Sequence, residues 1–191
     1  MPDVPVLWLR MIWQQKPYTL ERLRLIPPIH VTNVITTLSP GHPVGQKGLD
    51  LASAWRQLSA NSAGAILLDG DVAVDPVMAA QMMTAVGNEP GSVHTAAVRL
   101  WPVSTGWDDW AWGHCGADER RSQLLEDVAE PCWFSFSFTY IPRRVMDAAD
   151  RREGLRTWHY PNVDRSMSLE AQRLGVPVRV VPDCFPVHLH Y

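Results

Sequence analysis

The sequence contains little lysine, little cysteine and no long apolar run. Lys16 and Lys47 are its only lysines, so arginine carries almost all of the positive charge. Cys115, Cys132 and Cys184 are an odd number of cysteines without CxxC spacing, which indicates neither a disulfide framework nor a zinc site. A reducing, cytoplasmic setting fits this cysteine usage. No apolar run approaches the roughly 20 residues that span a bilayer, and no secretory signal is expected.

Two common phosphate-binding motifs are also missing. The sequence has neither GxxxxGKS or GxxxxGKT nor GxGxxG, so neither a P-loop nor a dinucleotide fingerprint is predicted. The net charge of −3 argues weakly against non-specific nucleic-acid binding. One arginine-rich stretch keeps nucleic acid open as a partner, although its interleaved acids favour a solvated, salt-bridged helix face: Arg143, Arg144, Asp147, Asp150, Arg151, Arg152, Glu153 and Arg156.

The 191 residues are 46% hydrophobic, enough for one domain with a packed core. Periodicity predicts an α/β fold with a parallel sheet and right-handed crossovers. The predicted strands cover residues 6–13, 29–38, 65–68, 93–100, 133–141 and 176–181, the fifth of them half-buried. The predicted helices cover residues 18–26, 49–58, 77–86 and 143–150, and a late helix has Gly175 as its C′ residue.

The segment from Ala65 to Pro76, AILLDGDVAVDP, is the most informative in the chain. Asp69 and Asp71 follow directly after an apolar run. In open α/β sheets, ligands bind beyond the carboxyl ends of the strands. Such carboxylates suit a hard divalent cation that also holds substrate phosphates. An Asp-Gly-Asp after a strand is also typical of a plain turn. Asp75 as N-cap and Pro76 at N1 then begin a helix.

Four segments in order resemble the GT-A glycosyltransferases, especially the small inverting enzymes that use nucleotide sugars. They are the helix from Gln46 to Leu58, AILLDGDVAVDP, WFSFSFTYIPRRVMDA, and NVDRSMSLEAQRLGVPVRVVPDCFPVH. The resemblance implies a GT-A-like (Rossmann-like), mostly parallel mixed sheet flanked by helices. It also implies transfer of a sugar from a nucleotide-diphosphate donor to an acceptor hydroxyl, with Mn²⁺ or Mg²⁺ as cofactor.

The resemblance also assigns roles to individual residues. Asp164 takes the position of the general base, and Asp71 and His188 take positions of metal ligands, with Asp69 on the metal or the donor ribose. Further expected donor contacts are Lys47, Gly70 and Asn33. The second strand lacks the acid that often contacts the donor base, so Asn33, Thr36 or Thr37 has to substitute there.

The two halves of the chain have different expected tasks. Residues 1–100 form the nucleotide-sugar and metal half, and residues 101–191 form a reduced acceptor half of the same single domain. The sequence has 9 tryptophans, whose flat rings suit stacking on sugars or bases. Candidates for the acceptor site are Trp107, Trp110, Trp112 and Trp158. The acceptor stays open among a glycan, a lipid-linked intermediate, a protein and a modified nucleic-acid base.

Two other functions fit the same carboxylates. LLDGDV also resembles the first motif of haloacid-dehalogenase-like phosphatases, with Asp69 as nucleophile, Asp71 as acid/base and Asp108-Asp109 as a late acidic pair. That mechanism needs a downstream lysine, and none follows Lys47. The other alternative is an inactive sugar- or nucleotide-binding module, because a fold does not guarantee activity.

Overall fold

A computed structural model describes residues 4–13, 31–36, 46–96, 99–101, 134–151 and 163–189. Six strands form the main sheet in the order β2-β1-β3-β7-β5-β8. Their bounds are β1 Val6–Trp13, β2 Val31–Thr36, β3 Gly64–Asp69, β5 Val93–Thr95, β7 Phe138–Pro142 and β8 Val178–Val180. Three short strands form a second sheet in the order β4-β9-β6, namely β4 Val72–Ala73, β6 Arg99–Trp101 and β9 Val187–Leu189.

Both faces of the main sheet are covered by helices. Four described helices are α1 Gln46–Leu58, α2 Pro76–Asn88, α3 Arg143–Arg151 and α4 Val163–Arg173. The core on one face joins Leu9 and Leu67 to residues of α1, α3 and α4. The core on the other face joins Trp8, Ile66 and Leu68 to residues of α2. Because strand side chains alternate between faces, β1 and β3 supply both cores.

Strand β7 is antiparallel to β3 and β5, whereas β1 is parallel to β2 and β3, and β5 is parallel to β8. All five residues of β7 are buried, so the strand expected over 133–141 is present from residue 138 onwards, but its expected half-burial is wrong. The physical reason is that β7 lies in the middle of a sheet with both faces covered. Its polar side chains are satisfied internally: the hydroxyl of Thr139 lies 2.7 Å from that of Thr95 and donates to the carbonyl oxygen of Ser135 at 2.6 Å.

Local sequence signals explain the helix ends. Asp75 caps α2 by accepting a hydrogen bond from the Met78 N–H at 2.8 Å, and Pro76 follows it, as predicted. Gly175 has φ 62° just after α4. The amides of Gly175 and Val176 donate to the carbonyls of Gln172 and Ala171, each at 2.9 Å. These two bonds form the Schellman motif, so the predicted C′ role of Gly175 is confirmed.

The described part of the arginine-rich stretch is helix α3, which contacts α1 through several side chains. The Trp55 indole N–H donates to Asp147 at 2.9 Å, and the Arg143 guanidinium lies 5.3 Å from the Trp55 ring centre. Arg56 and Asp150 form an ion pair at 2.5 Å. Arg143 also donates to the carbonyl oxygens of Ser62 and Ser59. Within the described part of α3, a predicted salt bridge is present between Arg143 and Asp147 at 3.8 Å, and its side chains are partly exposed.

The expected strand over residues 93–100 divides into two. Residues 93–95 belong to the main sheet as β5, and residues 99–101 belong to the second sheet as β6. The two strands therefore pair with different partners, β5 with β7 and β8, and β6 with β9. The apolar pattern alone cannot reveal this change of sheet.

The expected helix over 18–26 lies outside the described residues. No helix in the described ranges is long and apolar enough to cross a membrane.

Gly64 allows β3 and β7 to approach closely. A Cβ at Gly64 would collide with the carbonyl oxygen of Ile141 and lie 2.7 Å from the Tyr140 ring. We expect Gly64→Ala to lower the free energy of unfolding by about 2–3 kcal/mol, as overpacking does. The measurement is the urea midpoint at unchanged m-value. The matched control is Gly87→Ala within α2, where a Cβ meets no atom within 4 Å; it should stabilise the helix by about 0.5–1 kcal/mol. Equal effects of the two substitutions would contradict this packing.

We expect Tyr140 to make the free energy of unfolding depend on pH in the alkaline range. Its hydroxyl donates to the Pro90 carbonyl oxygen at 3.0 Å, and burial raises its pKa to about 12. In the unfolded chain a tyrosine ionises near pH 10. The stabilisation is therefore complete below about pH 10 and is lost as the pH rises towards 12. We expect Tyr140→Phe to flatten the fall of unfolding free energy over that window, measured by urea unfolding at successive pH values. Parallel curves for both proteins would contradict the assignment.

Candidate functional site

Five strands of the main sheet end at one edge, which we call the carboxyl edge. These strands are β1, β2, β3, β5 and β8, and β7 begins there because it runs the opposite way. Ligand sites of open α/β sheets form at this edge. Loops and turns that leave the strands there decide which side chains meet.

The DGD turn, Asp69 to Asp71, lies at the carboxyl edge between β3 and β4. Asp69 is the last residue of β3 and is half-buried, whereas Gly70 is buried and Asp71 is 3% exposed. The N–H of Asp69 donates to the carbonyl oxygen of Ser137 at 3.3 Å, which continues the β3–β7 pairing beyond the strands. The turn thus presents two carboxylates from a backbone that is fixed on both sides.

The second sheet brings the end of the chain beside this turn. Strand β9 is antiparallel to β4, with His188 opposite Val72 and Val187 opposite Ala73. Paired residues in such a ladder have Cα atoms about 4.5–5.5 Å apart. Because Val72 directly follows Asp71, the backbone of His188 lies next to the DGD turn. The structure therefore brings together the segments of the two predicted metal ligands, which are remote in sequence.

Asp164 lies in the first turn of α4, which begins at Val163. It is half-buried, and its carbonyl oxygen accepts a hydrogen bond from the Ser168 hydroxyl at 2.9 Å. A carboxylate in the first turn is favoured by the positive end of the helix dipole.

Residues Phe134 to Ser137, which we call the edge segment, connect the surroundings of Asp164 to the DGD turn. All four residues are buried. Ser168 contacts the backbone of Phe134, and Ser137 accepts from Asp69 at the other end. Inside the segment the hydroxyls of Ser135 and Ser137 are 3.1 Å apart. Sequence reasoning missed this role; the signal was serine at alternate positions in an otherwise apolar run before a strand.

Asn33 lies on β2 with its side chain exposed, two strands away from the DGD turn. Its side-chain oxygen accepts a hydrogen bond from Arg10 Nε at 3.0 Å. Arg10 lies opposite Leu68, which is one residue before Asp69. Burial lowers the pKa of the Arg10 guanidinium. Sequence reasoning also missed Arg10, because a single arginine in an apolar strand gives no pattern.

The other predicted site residues are described only in part. Lys47 lies in the first turn of α1. The four expected acceptor contacts and the acidic pair of the alternative phosphatase mechanism lie outside the described residues: Trp107, Trp110, Trp112, Trp158, Asp108 and Asp109. The division into a donor half and an acceptor half therefore stays a prediction.

The residue types at the site are suitable ligands for a divalent cation. Two carboxylates and an imidazole form a ligand set that Mn²⁺ accepts. Among the side chains that the structure describes, no three metal-ligating groups form a cluster. The side chain of His188 is not in that set, since only the backbone of β9 is described. The fit thus depends on the composition of the DGD turn and on the β4–β9 register.

Comparisons with known proteins agree with the architecture. GalNAc-T7, a GT-A glycosyltransferase solved with UDP, GalNAc and Mn²⁺, matches 100% of this chain and 45% of its own, with TM-score 0.65 and 11% identity. The chain thus spans less than half of GalNAc-T7. The structure of A197 from STIV matches 95% of this chain and 81% of its own, with TM-score 0.50 and 14% identity.

No protein-family model matches the chain, and no curated protein matches its sequence. At such low identity the similarity to solved structures shows the fold alone. The chain has a mixed α/β, GT-A-like fold with a mostly parallel six-stranded sheet flanked by helices, which confirms the fold class that the sequence predicted.

Proposed function

We propose that the protein is a metal-dependent glycosyltransferase that moves a sugar from a nucleotide-diphosphate donor to an acceptor hydroxyl. The observation that supports this proposal is the register of β4 and β9, in which the backbone of His188 lies opposite Val72, the residue that follows Asp71. The GT-A-like fold supports the same function. A turn with only a structural role would not require a carboxylate pair and a histidine-bearing strand that is distant in sequence to lie at the same edge of the sheet.

In this proposal the DGD turn and β9 hold Mn²⁺ or Mg²⁺ through Asp71 and His188, with Asp69 on the metal or the donor ribose. When bound, the cation neutralises the diphosphate that leaves the sugar. Burial of Asp71 strengthens its electrostatic interactions, because the surrounding dielectric is low. Gly70 and Lys47 contribute to the donor site, and Asn33 contacts the donor base with Arg10 fixing its amide.

Asp164 acts as the general base. It takes the proton of the acceptor hydroxyl as the oxygen attacks the anomeric carbon, which inverts the stereochemistry. Trp107, Trp110, Trp112 and Trp158 are proposed to stack on the acceptor in the half formed by residues 101–191. A glycan, a lipid-linked intermediate, a protein and a modified nucleic-acid base all provide a suitable acceptor group.

UDP with Mn²⁺ is the first ligand pair to test, since the GalNAc-T7 structure holds both. At about 100-fold excess over Kd, binding adds about 2.7 kcal/mol of stability. For a chain of this size that raises Tm by about 5–10 °C. We expect Asp71→Asn and His188→Ala each to remove most of this shift, measured against each variant's own ligand-free Tm.

The control variant is Asp183→Asn, which changes an exposed acid on the loop before β9. Asp183 has φ 55°, a conformation that asparagine also tolerates, so this variant should keep the full shift. A shift that survives both site substitutions would contradict the proposal. Hydrolysis of an aryl phosphate that stops with Asp69→Asn would favour the phosphatase instead. Donor binding without transfer or donor hydrolysis would favour the binding module.

A further inference from the structure

Ser168 holds two parts of the chain together through one buried hydroxyl. It lies one turn after Asp164 in α4 and is 2% exposed. Its oxygen accepts a hydrogen bond from the Phe134 N–H at 3.0 Å and lies 2.9 Å from the Asp164 carbonyl oxygen, to which it donates. The Phe134 carbonyl oxygen is a second, longer contact at 3.3 Å. A serine that bonds four residues back within a helix is common, but here the same oxygen also binds a separate segment.

The edge segment connects the Phe134 backbone, which Ser168 contacts, to the DGD turn through only four residues. Phe134 and Phe136 anchor it in the core with exposures of 0% and 1%. The Ser135 carbonyl oxygen accepts from Thr139 at 2.6 Å, so the backbone between the anchors is also held. At its far end Ser137 accepts the hydrogen bond from the Asp69 amide. A segment held at every residue has one arrangement, and its two ends keep a fixed separation.

We infer that Ser168 is a positioning residue that sets Asp164 relative to the DGD turn. This inference rests on the proposed function, in which Asp164 is the base and the DGD turn holds the donor. Ser168 touches no reacting group in this scheme. It acts through the backbone of Phe134 and of the first turn of α4. These contacts keep the distance between Asp164 and the donor site constant.

Such a residue affects turnover more than donor binding. Donor binding depends on the DGD turn, which also has β4 and β9 to support it. Turnover depends on the distance between the acceptor oxygen held by Asp164 and the anomeric carbon. A misplacement of about 1 Å at such a pair reduces rates up to about 100-fold. Loss of the hydroxyl should therefore lower kcat while KM for the donor stays the same.

The test compares Ser168→Ala with Ser92→Ala, which removes another buried serine hydroxyl. Ser92 is 1% exposed and donates to Glu89 at 2.6 Å, next to the first residue of β5 and so at the opposite edge of the sheet. With UDP-GalNAc and Mn²⁺ we expect Ser168→Ala to lower kcat of donor hydrolysis at least about tenfold, with KM within about twofold. Ser92→Ala should change neither. Ser168→Thr keeps the hydroxyl and should restore most of kcat.

Amide hydrogen exchange tests the coupling without any turnover. Ser168→Ala should speed exchange of the Phe134 amide about tenfold through loss of its acceptor, and exchange of the Asp69 amide should also rise, whereas Ser92→Ala leaves both unchanged. If Ser168→Ala does not fold, Ser168→Cys, of similar size and weaker hydrogen bonding, is measured in its place.

Two results would overturn the inference. One is an Asp69 amide whose exchange does not respond to Ser168→Ala, and the other is a folded Ser168→Ala variant with the kcat of the wild type. If the wild type hydrolyses no UDP-GalNAc, the exchange of the Asp69 amide decides. The proposed function fails separately, through the absence of any Tm shift with nucleoside diphosphates and Mn²⁺ in the wild type.

Discussion

The reversed direction of β7 determines how the carboxyl edge is built. A parallel strand in this position would begin at the far edge and leave the DGD turn without the edge segment. Because β7 is antiparallel, the residues before it lie where β3 ends, and Ser137 bonds to Asp69 there. Strands β3 and β7 also approach closely at Gly64, and the buried hydroxyl of Thr139 on β7 is hydrogen-bonded to that of Thr95.

The second sheet closes the site from the other side. Strands β4 and β9 are only two and three residues long, yet they join the turn after β3 to the end of the chain. Short ladders are weak alone, and β4 is stabilised by Val72, which is 1% exposed in the core against α2. The edge segment and β9 thus hold the DGD turn from two directions, which suits a site whose charges must keep fixed positions.

Much of the fold could be predicted from local signals. The apolar run ending at Asp69, the Asp75-Pro76 helix start and the glycine at 175 are short-range features, and each was confirmed. The split of 93–100, the full burial of β7 and the pairing of β9 depend on which strands become neighbours, and no local pattern contains that information. The same holds for Ser168 and Arg10, whose roles come from contacts with residues that are remote in sequence. The ligand identities of Asp69, Asp71, His188 and the base role of Asp164 stay predictions.

In the proposed function, one divalent cation is shared by the DGD turn and β9. Paramagnetic broadening of amide resonances by substoichiometric Mn²⁺ tests it most directly, because broadening falls steeply with distance from the ion. We expect the amides of residues 69–73 and 187–189 to lose intensity together and at the same Mn²⁺ concentration. Broadening of only one of the two segments, or of each at a different Mn²⁺ concentration, would contradict it.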